Sequence, residues 1–330
     1  SEVHKRNMKF IIDLVVNHTS DEHVLFQEAK QSKTNSKRDY YIWRDQPTDI
    51  GSVFSGSAWE FDSLTNQYYF HLFSKKQPDL NWNNPELRQE IYSMINYWLD
   101  LGIDGFRLDV IDLIGKDIDR KWLCDGPYLL DRLKELHQAC FHGRDVLTVG
   151  ECPCLSIDRV KEVTSGDEPL LSMVFQFGHM SLDEIPGKGK WDCKPLDIIA
   201  LKKYFKTMQT QLHHQGWNSL FWSNHDQVRA VSRFGSEIWR YESQTLLSTL
   251  LFGLEGTPYI YQGEEIGMTG IRLNRVSEYK DIETLNMAKE KRLLGWTEDQ
   301  ILQSVYKKGR DNSRKIGRAH AELQSRQVIS

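Results

Sequence analysis

The sequence predicts an α/β fold built on a parallel sheet, and three observations predict it. Short apolar runs without polar alternation recur along the chain, as strands buried on both faces read. Helical patterns separate several of these runs, the alternation expected of parallel strands. The 330 residues suit either two domains or one large α/β barrel, at about 100–200 residues per domain.

The elements follow in order. Ser1 to Asn7 is polar and reads as the tail of a helix. From Phe10 to Val16 only Asp13 interrupts Phe, Ile, Leu and Val, which predicts a strand buried on both faces. Similar runs lie at Gly105–Val110, Val146–Val149, Leu171–Phe177, Asn218–Trp222 and Pro258–Tyr261. Between them, Pro85 to Leu101 places Leu87, Ile91, Met94, Ile95, Trp98 and Leu99 at helical spacing, and Ser243 to Leu254 is a second helical pattern. From Thr19 to Asn84 the chain is aromatic and polar, with Tyr40, Tyr41, Trp43, Phe54, Trp59, Tyr68, Tyr69 and Phe73. That is too long for one connecting loop and predicts an inserted subdomain. Gly270 to Arg314 is charged and helical in pattern, a second insertion after the last strand.

Composition excludes several classes. Lys and Arg number 42 against 46 Asp and Glu, a net charge of −4. No basic excess is present to neutralise phosphates, so a nucleic-acid partner is not expected. No apolar run approaches the roughly 20 residues of a membrane helix, so neither is a membrane partner. The cysteines Cys124, Cys140, Cys152, Cys154 and Cys193 are odd in number and scattered. They read as reduced thiols of a cytoplasmic protein rather than a disulfide framework. No spacing suggests a metal or cofactor site, and none is expected.

Three acids stand at or just beyond the carboxyl ends of predicted strands: Asp109, Glu151 and Asp226. In a (β/α) barrel those ends build the active site. One such acid alone reads more readily as a helix cap. Three, each within two residues of a His, Arg or Gly, point to chemistry. They suit glycoside hydrolysis, in which a retaining enzyme needs a carboxylate nucleophile and a protonated carboxyl about 5–5.5 Å apart. Arg107, two residues before Asp109, shares its strand face and would keep it ionised. Glu151 would need a raised pKa to act as the acid. Asp226, beside His225, could oppose an oxocarbenium charge. The aromatic insertion offers faces on which sugar rings stack.

At these residues the chain resembles the α-amylase family of glycoside hydrolases. The stretches that carry the resemblance are Asp13-Leu-Val-Val-Asn-His18, Gly105-Phe-Arg-Leu-Asp109, Val149-Gly-Glu151 and Asn224-His-Asp226. Arg38–Arg44, Phe54–Trp59, His71–Trp82 and Thr257–Met268 resemble its oligo-1,6-glucosidase (isomaltase) branch. The resemblance covers Arg6 to Arg314. It implies an incomplete (β/α)8 barrel, strands 3 to 8, with an inserted subdomain after strand 3. The implied division is strand 3 in 1–18, the inserted domain in 19–84, strands 4 to 8 with their helices in 85–269, and a helical insertion in 270–314. Residues 315–330 resemble a translated sequencing adapter and are expected to be non-native.

The resemblance also implies roles. Asp109 is the nucleophile, Glu151 the general acid/base and Asp226 the transition-state stabiliser. His18, Arg107 and His225 would hold glucose in the first subsite, and Arg310 would close that pocket. Phe54, Phe73 and Gln77 would line the next subsite. Val110 resembles the residue of α-1,6-preferring members, where α-1,4-preferring ones tend to carry Thr. For Phe54 and Phe73 a place in the subdomain core stays open, for Arg310 a surface ion pair, and for Val110 plain barrel packing.

The implied activity is a retaining exo-α-glucosidase that releases glucose from terminal α-1,6 links of isomalto-oligosaccharides. Trehalose-6-phosphate hydrolase, dextran glucosidase and sucrose isomerase are sister readings. An inactive fragment and a non-catalytic transporter ectodomain are the others. Glu151-Cys-Pro-Cys154 stands where the family usually has Glu-Met-Pro-Gly, and Val228 where it has Pro. Losing that glycine at Cys154 is expected to shift the loop. Lys116 to Asp125 is shorter than in many members, so a more open rim is expected.

Overall fold

The computed structural model describes residues 2–314; the adapter-like tail lies outside them. Two compact units divide the chain. The first runs to Phe177 and takes in Gln211–Asn218; the second holds Gly178–Thr210 and the chain from Ser219 on.

In the first unit a short 3-10 turn, His4–Arg6, precedes β1 (Ile11–Leu14). The inserted stretch follows, with α1 (Val24–Ala29), β2 (Trp43–Arg44), β3 (Trp59–Asp62) and β4 (Gln67–Phe70). Its strands form a small antiparallel sheet in the order β2-β4-β3. Trp59, Phe70, Ile42, Ile50, Ala58 and Leu72 make its core, joined by Leu113 and Ile118 from further along the chain. Next come α2 (Pro85–Asp100), β5 (Gly105–Leu108), α3 (Leu129–Leu136), β6 (Leu147–Glu151), α4 (Ile157–Thr164) and β7 (Met173–Phe175).

The sequence explains α2 well. Asn84 caps it, accepting the N–H groups of Glu86 and Leu87, and Pro85 fills the first helical position, where its missing N–H is no loss. Leu87, Ile91, Tyr92, Ile95 and Leu99 form the buried stripe. Met94 and Trp98, assigned to that stripe from their spacing, lie on its exposed shoulder instead.

β1, β5, β6 and β7 pair in parallel, in that order. Gly105 is required at the start of β5, because a Cβ there would sit 2.0 Å from the Leu147 carbonyl oxygen of β6. The expectation that Phe10–Val16 is buried on both faces fails in part. β1 has β5 as its one ladder partner among the described residues, and Phe10 and Val15 are 50% and 43% exposed. An apolar run reports a capacity for burial, not a neighbour on each side.

The cysteine expectation fails for one pair of the five. Cys124 and Cys154 form a disulfide across 30 residues of sequence, with their Cα atoms 6.1 Å apart. Each sits in the loop that follows one of the adjacent strands β5 and β6, which is what brings them together. Cys140, Cys152 and Cys193 are free thiols.

α5 (Ile198–Leu212) lies mostly in the second unit, and the chain returns to that unit within β8 (Asn218–Leu220). There α6 (Ala230–Phe234) and α7 (Arg240–Phe252) precede β9 (Thr257–Pro258), which pairs in parallel with β8. α8 (Ile282–Leu293), α9 (Glu298–Lys308) and α10 (Asp311–Arg314) follow. Leu273, Val276, Tyr279, Met287, Ala288, Ile301, Leu302 and Val305 pack together as a core of their own. α8, α9 and α10 all fall within 270–314. Among the described residues no helix is long and apolar enough to cross a membrane.

Candidate active site

Parallel pairing of β1, β5 and β6 assembles the charged centre of the first unit. Asp13 and Arg107 are directly in register on β1 and β5. Asp109 follows β5, and Glu151 is the last residue of β6. The Arg107 guanidinium meets all three acids. Its Nη1 donates to Asp13 Oδ1 at 2.7 Å and to Asp109 Oδ1 at 2.5 Å, while Nη2 donates to Glu151 Oε2. Burial works against the Arg107 charge, but Glu151, Asp109 and Asp13 outweigh it and hold its pKa above the ordinary value. The shared strand face foreseen for Arg107 and Asp109 is therefore present.

Val110 packs against the core of the inserted stretch, as the packing reading expects. Its backbone is left-handed, with φ 37° and ψ 46°, a conformation that costs a β-branched residue about 1–3 kcal/mol. Its N–H donates to Glu151 Oε2 at 3.2 Å, so the strained residue orients the carboxyl beside it.

His18 is 8% exposed. Its Nε2 lies 3.0 Å from the Gln77 amide nitrogen and its ring 5.5 Å from that of Phe73. Phe73 in turn meets Phe54 at 5.6 Å. Burial pulls the His18 pKa down, against the opposing pull of Asp79 and Asp109. The structure thus brings His18, Gln77, Phe73 and Phe54 into one cluster. Phe73 also packs against the inserted core, so its two readings are not exclusive.

Beneath this cluster lies a network that the sequence did not reveal. Lys116 Nζ donates to Asp79 Oδ2 and to Asn17 Oδ1, both at 2.6 Å. Asp79 Oδ1 accepts the Leu72 N–H at 2.9 Å. All three polar residues are buried. Removing one partner of such a pair typically costs about 3–5 kcal/mol. Asn17 precedes His18, so the network fixes the loop that presents His18. Asn17 lay in a quoted motif, but nothing pointed to Lys116.

The second unit holds its own cluster. Asp226 meets Arg310 Nη1 at 3.5 Å, His225 Nε2 at 3.5 Å and the Arg314 guanidinium. Its N–H donates to Asn224 Oδ1 at 2.8 Å. Burial pushes the Asp226 carboxyl up, but His225, Arg310 and Arg314 prevail and lower its pKa. Arg310 also pairs with Asp281 at 2.7 Å and Glu283 at 3.3 Å. It is buried, so the surface ion-pair reading of Arg310 is wrong. Lys190, joined to Glu283 at 2.7 Å, and Arg314 are the residues missed here. Arg314 closed the Gly309–Arg314 motif and could have been found from its charge.

The model of the α-amylase catalytic domain matches residues 1–322. The oligo-1,6-glucosidase of Bacillus cereus is 49% identical over 95% of this chain and 60% of its own length. The glucan 1,6-α-glucosidase of Streptococcus dysgalactiae subsp. equisimilis is 51% identical over 94% and 58%. The chain belongs to the α-amylase family. Its fold is that family's (β/α)8 barrel in incomplete form, with four parallel strands in the first unit and two in the second. Among solved structures, isomaltulose synthase from Klebsiella sp. LX3 matches with a TM-score of 0.90 at 35% identity, over 95% of this chain and 60% of that one. Trehalose-6-phosphate hydrolase from Bacillus licheniformis matches with 0.85 at 43%, over 94% and 59%. This α-amylase family chain therefore spans about 60% of the length of the relatives it matches.

Two cysteines closely follow Glu151. Cys152 is buried, and burial drives its thiol pKa far up, so the sulfur is apolar filling. Cys154 is exposed and covalently tied to Cys124. The bridge anchors the loop after Glu151 covalently.

Proposed function

We propose that the protein is a retaining exo-α-glucosidase that hydrolyses terminal α-1,6 links of isomalto-oligosaccharides and releases glucose. The observation that carries this reading is the single Arg107 guanidinium held between Asp109 and Glu151. Sharing one guanidinium keeps the two carboxyls close, which fits the shorter, retaining separation of about 5–5.5 Å. Asp109 attacks the anomeric carbon and Glu151 protonates the leaving oxygen; the same Glu151 then deprotonates the water that releases glucose. Asp226, held ionised by its cations, opposes the oxocarbenium charge by the family's pattern. His18 and Arg107 contact the first sugar, as do His225 and Arg310 by that pattern. Phe54, Phe73 and Gln77 meet the next sugar, and Val110 favours the α-1,6 link.

The names of the relatives support this linkage. The trehalose-6-phosphate hydrolase likeness supports a second reading. The division into strand 3, inserted domain, strands 4 to 8 and helical insertion is part of the same reading. So are an oligosaccharide as the one partner and a cytoplasmic location. There the Cys124–Cys154 pair would face reduction, and a thiol count on protein trapped in its cells checks that location.

The deciding experiment is glucose release by the whole protein from isomaltose, maltose and trehalose-6-phosphate, with NMR of the first-formed anomer. Isomaltose as best substrate with α-glucose formed first supports the proposal. Preference for trehalose-6-phosphate favours the second reading, and β-glucose overturns retention. An inert full-length protein would point to a non-catalytic relative.

A further inference from the structure

We propose that His137, His142 and Glu168 form a binding site for a zinc-type divalent cation, distant in role from the carboxylates of catalysis. The backbone builds it. α3 ends in a π-helical turn, His137–Phe141, in which the His142 N–H donates to the His137 carbonyl at 2.9 Å. This i→i+5 turn places residue 142 above residue 137; an ordinary α-helix would turn the two apart. The rings stand 6.2 Å apart at 61°.

Glu168, in the loop between α4 and β7, completes the set. Its Oε1 lies 2.6 Å from His142 Nδ1 and 3.4 Å from His137 Nε2, and accepts the Gly143 N–H at 3.0 Å. One candidate donor atom from each residue lies within 4.8 Å of the others. Bonds of about 2.0–2.1 Å in a tetrahedral centre require donors roughly 3.3 Å apart, so small side-chain rotations suffice.

The His137 ring supplies the pointer to a ligand. Its side chain is 13% exposed, yet neither ring nitrogen has a hydrogen bond of normal geometry. Glu168 Oε1 stands 3.4 Å from Nε2; a largely shielded imidazole held this loosely is costly, and a metal bond to Nε2 would satisfy it. Two imidazoles and one carboxylate are a zinc donor set with room for water. Calcium and magnesium, which take oxygen ligands, fit poorly.

The site joins the end of α3 to the loop entering β7, on the amino-terminal side of the strands. In a barrel that rim serves stability, not catalysis. The expected role is a clamp that holds these two connections together.

The test uses the 330-residue chain, purified without reductant so that Cys124 and Cys154 stay paired. Titration calorimetry with ZnCl2 should show one saturable site and a matching rise in melting temperature. His142→Ala and Glu168→Gln, both at half-exposed side chains, should each weaken binding by about 100-fold or more, since even outer-sphere changes cost about 10–100-fold. His213→Ala, in the other histidine pair, should leave it unchanged. No saturable binding, or binding that survives both ligand variants, overturns the proposal.

Discussion

The two charged clusters differ in how many cations surround the candidate acid. In the first unit one arginine is shared by three acids, Asp13, Asp109 and Glu151. In the second, Arg310 is likewise shared by three acids, Asp226, Asp281 and Glu283, but Asp226 also faces Arg314 and His225. A cluster with surplus carboxylates holds groups that can exchange a proton or an electron pair. One with surplus cations around an acid fixes that acid as an anion. On the proposed reading the difference divides labour: covalent and acid–base work falls to the first cluster, standing negative charge to the second.

The largest way to break this comparison is Asp109→Asn. It should lower kcat on the order of 10⁴-fold with circular dichroism unchanged; retained glucose release would remove Asp109 from the nucleophile's place. Next, Glu151→Gln should slow isomaltose by about 10²–10⁴-fold and an activated nitrophenyl glucoside far less. Equal slowing of both substrates would deny Glu151 the acid role.

Asp112 sharpens the comparison because it is an acid with no cation. It is fully buried; Oδ2 accepts the Cys154 N–H at 3.0 Å, while Oδ1 has no partner. Burial pushes its pKa up to about 7. The fold thus prefers the neutral form. Stability is full below the unfolded pKa of about 3.9 and declines as pH rises towards 7, by on the order of 4 kcal/mol. Asp112→Asn should therefore raise the melting temperature more at pH 8 than at pH 5. An equal change at both pH values would mean that Asp112 does not titrate in this window. The smallest effect is expected from Val110→Thr, a shift of about 10-fold, roughly 1.4 kcal/mol, towards α-1,4 over α-1,6 hydrolysis. An unchanged ratio would return Val110 to packing and strain alone.

Strands such as Gly105–Leu108 and Leu147–Glu151 were legible because burial on both faces leaves a local signature. The catalytic candidates were legible because their neighbours along the chain, Arg107 and His225, are also neighbours in space. The Asn17–Asp79–Lys116 network was not, since its members lie 37 to 99 positions apart and only folding joins them. The disulfide was hidden for the same reason: its 30-residue separation has no motif. Nor does any sequence rule announce a valine at positive φ, where tertiary contacts override a local preference.

The Cys124–Cys154 bridge encloses α3, the π-helical turn and all of β6, Glu151 included. A protease that nicks the exposed turn at Gly143–Arg144 would cut the backbone between Asp109 and Glu151 without freeing either piece. The nicked protein would migrate as one band until a thiol is added, and then as two. Inside that loop, the pair of carboxylates is insured against a single backbone break.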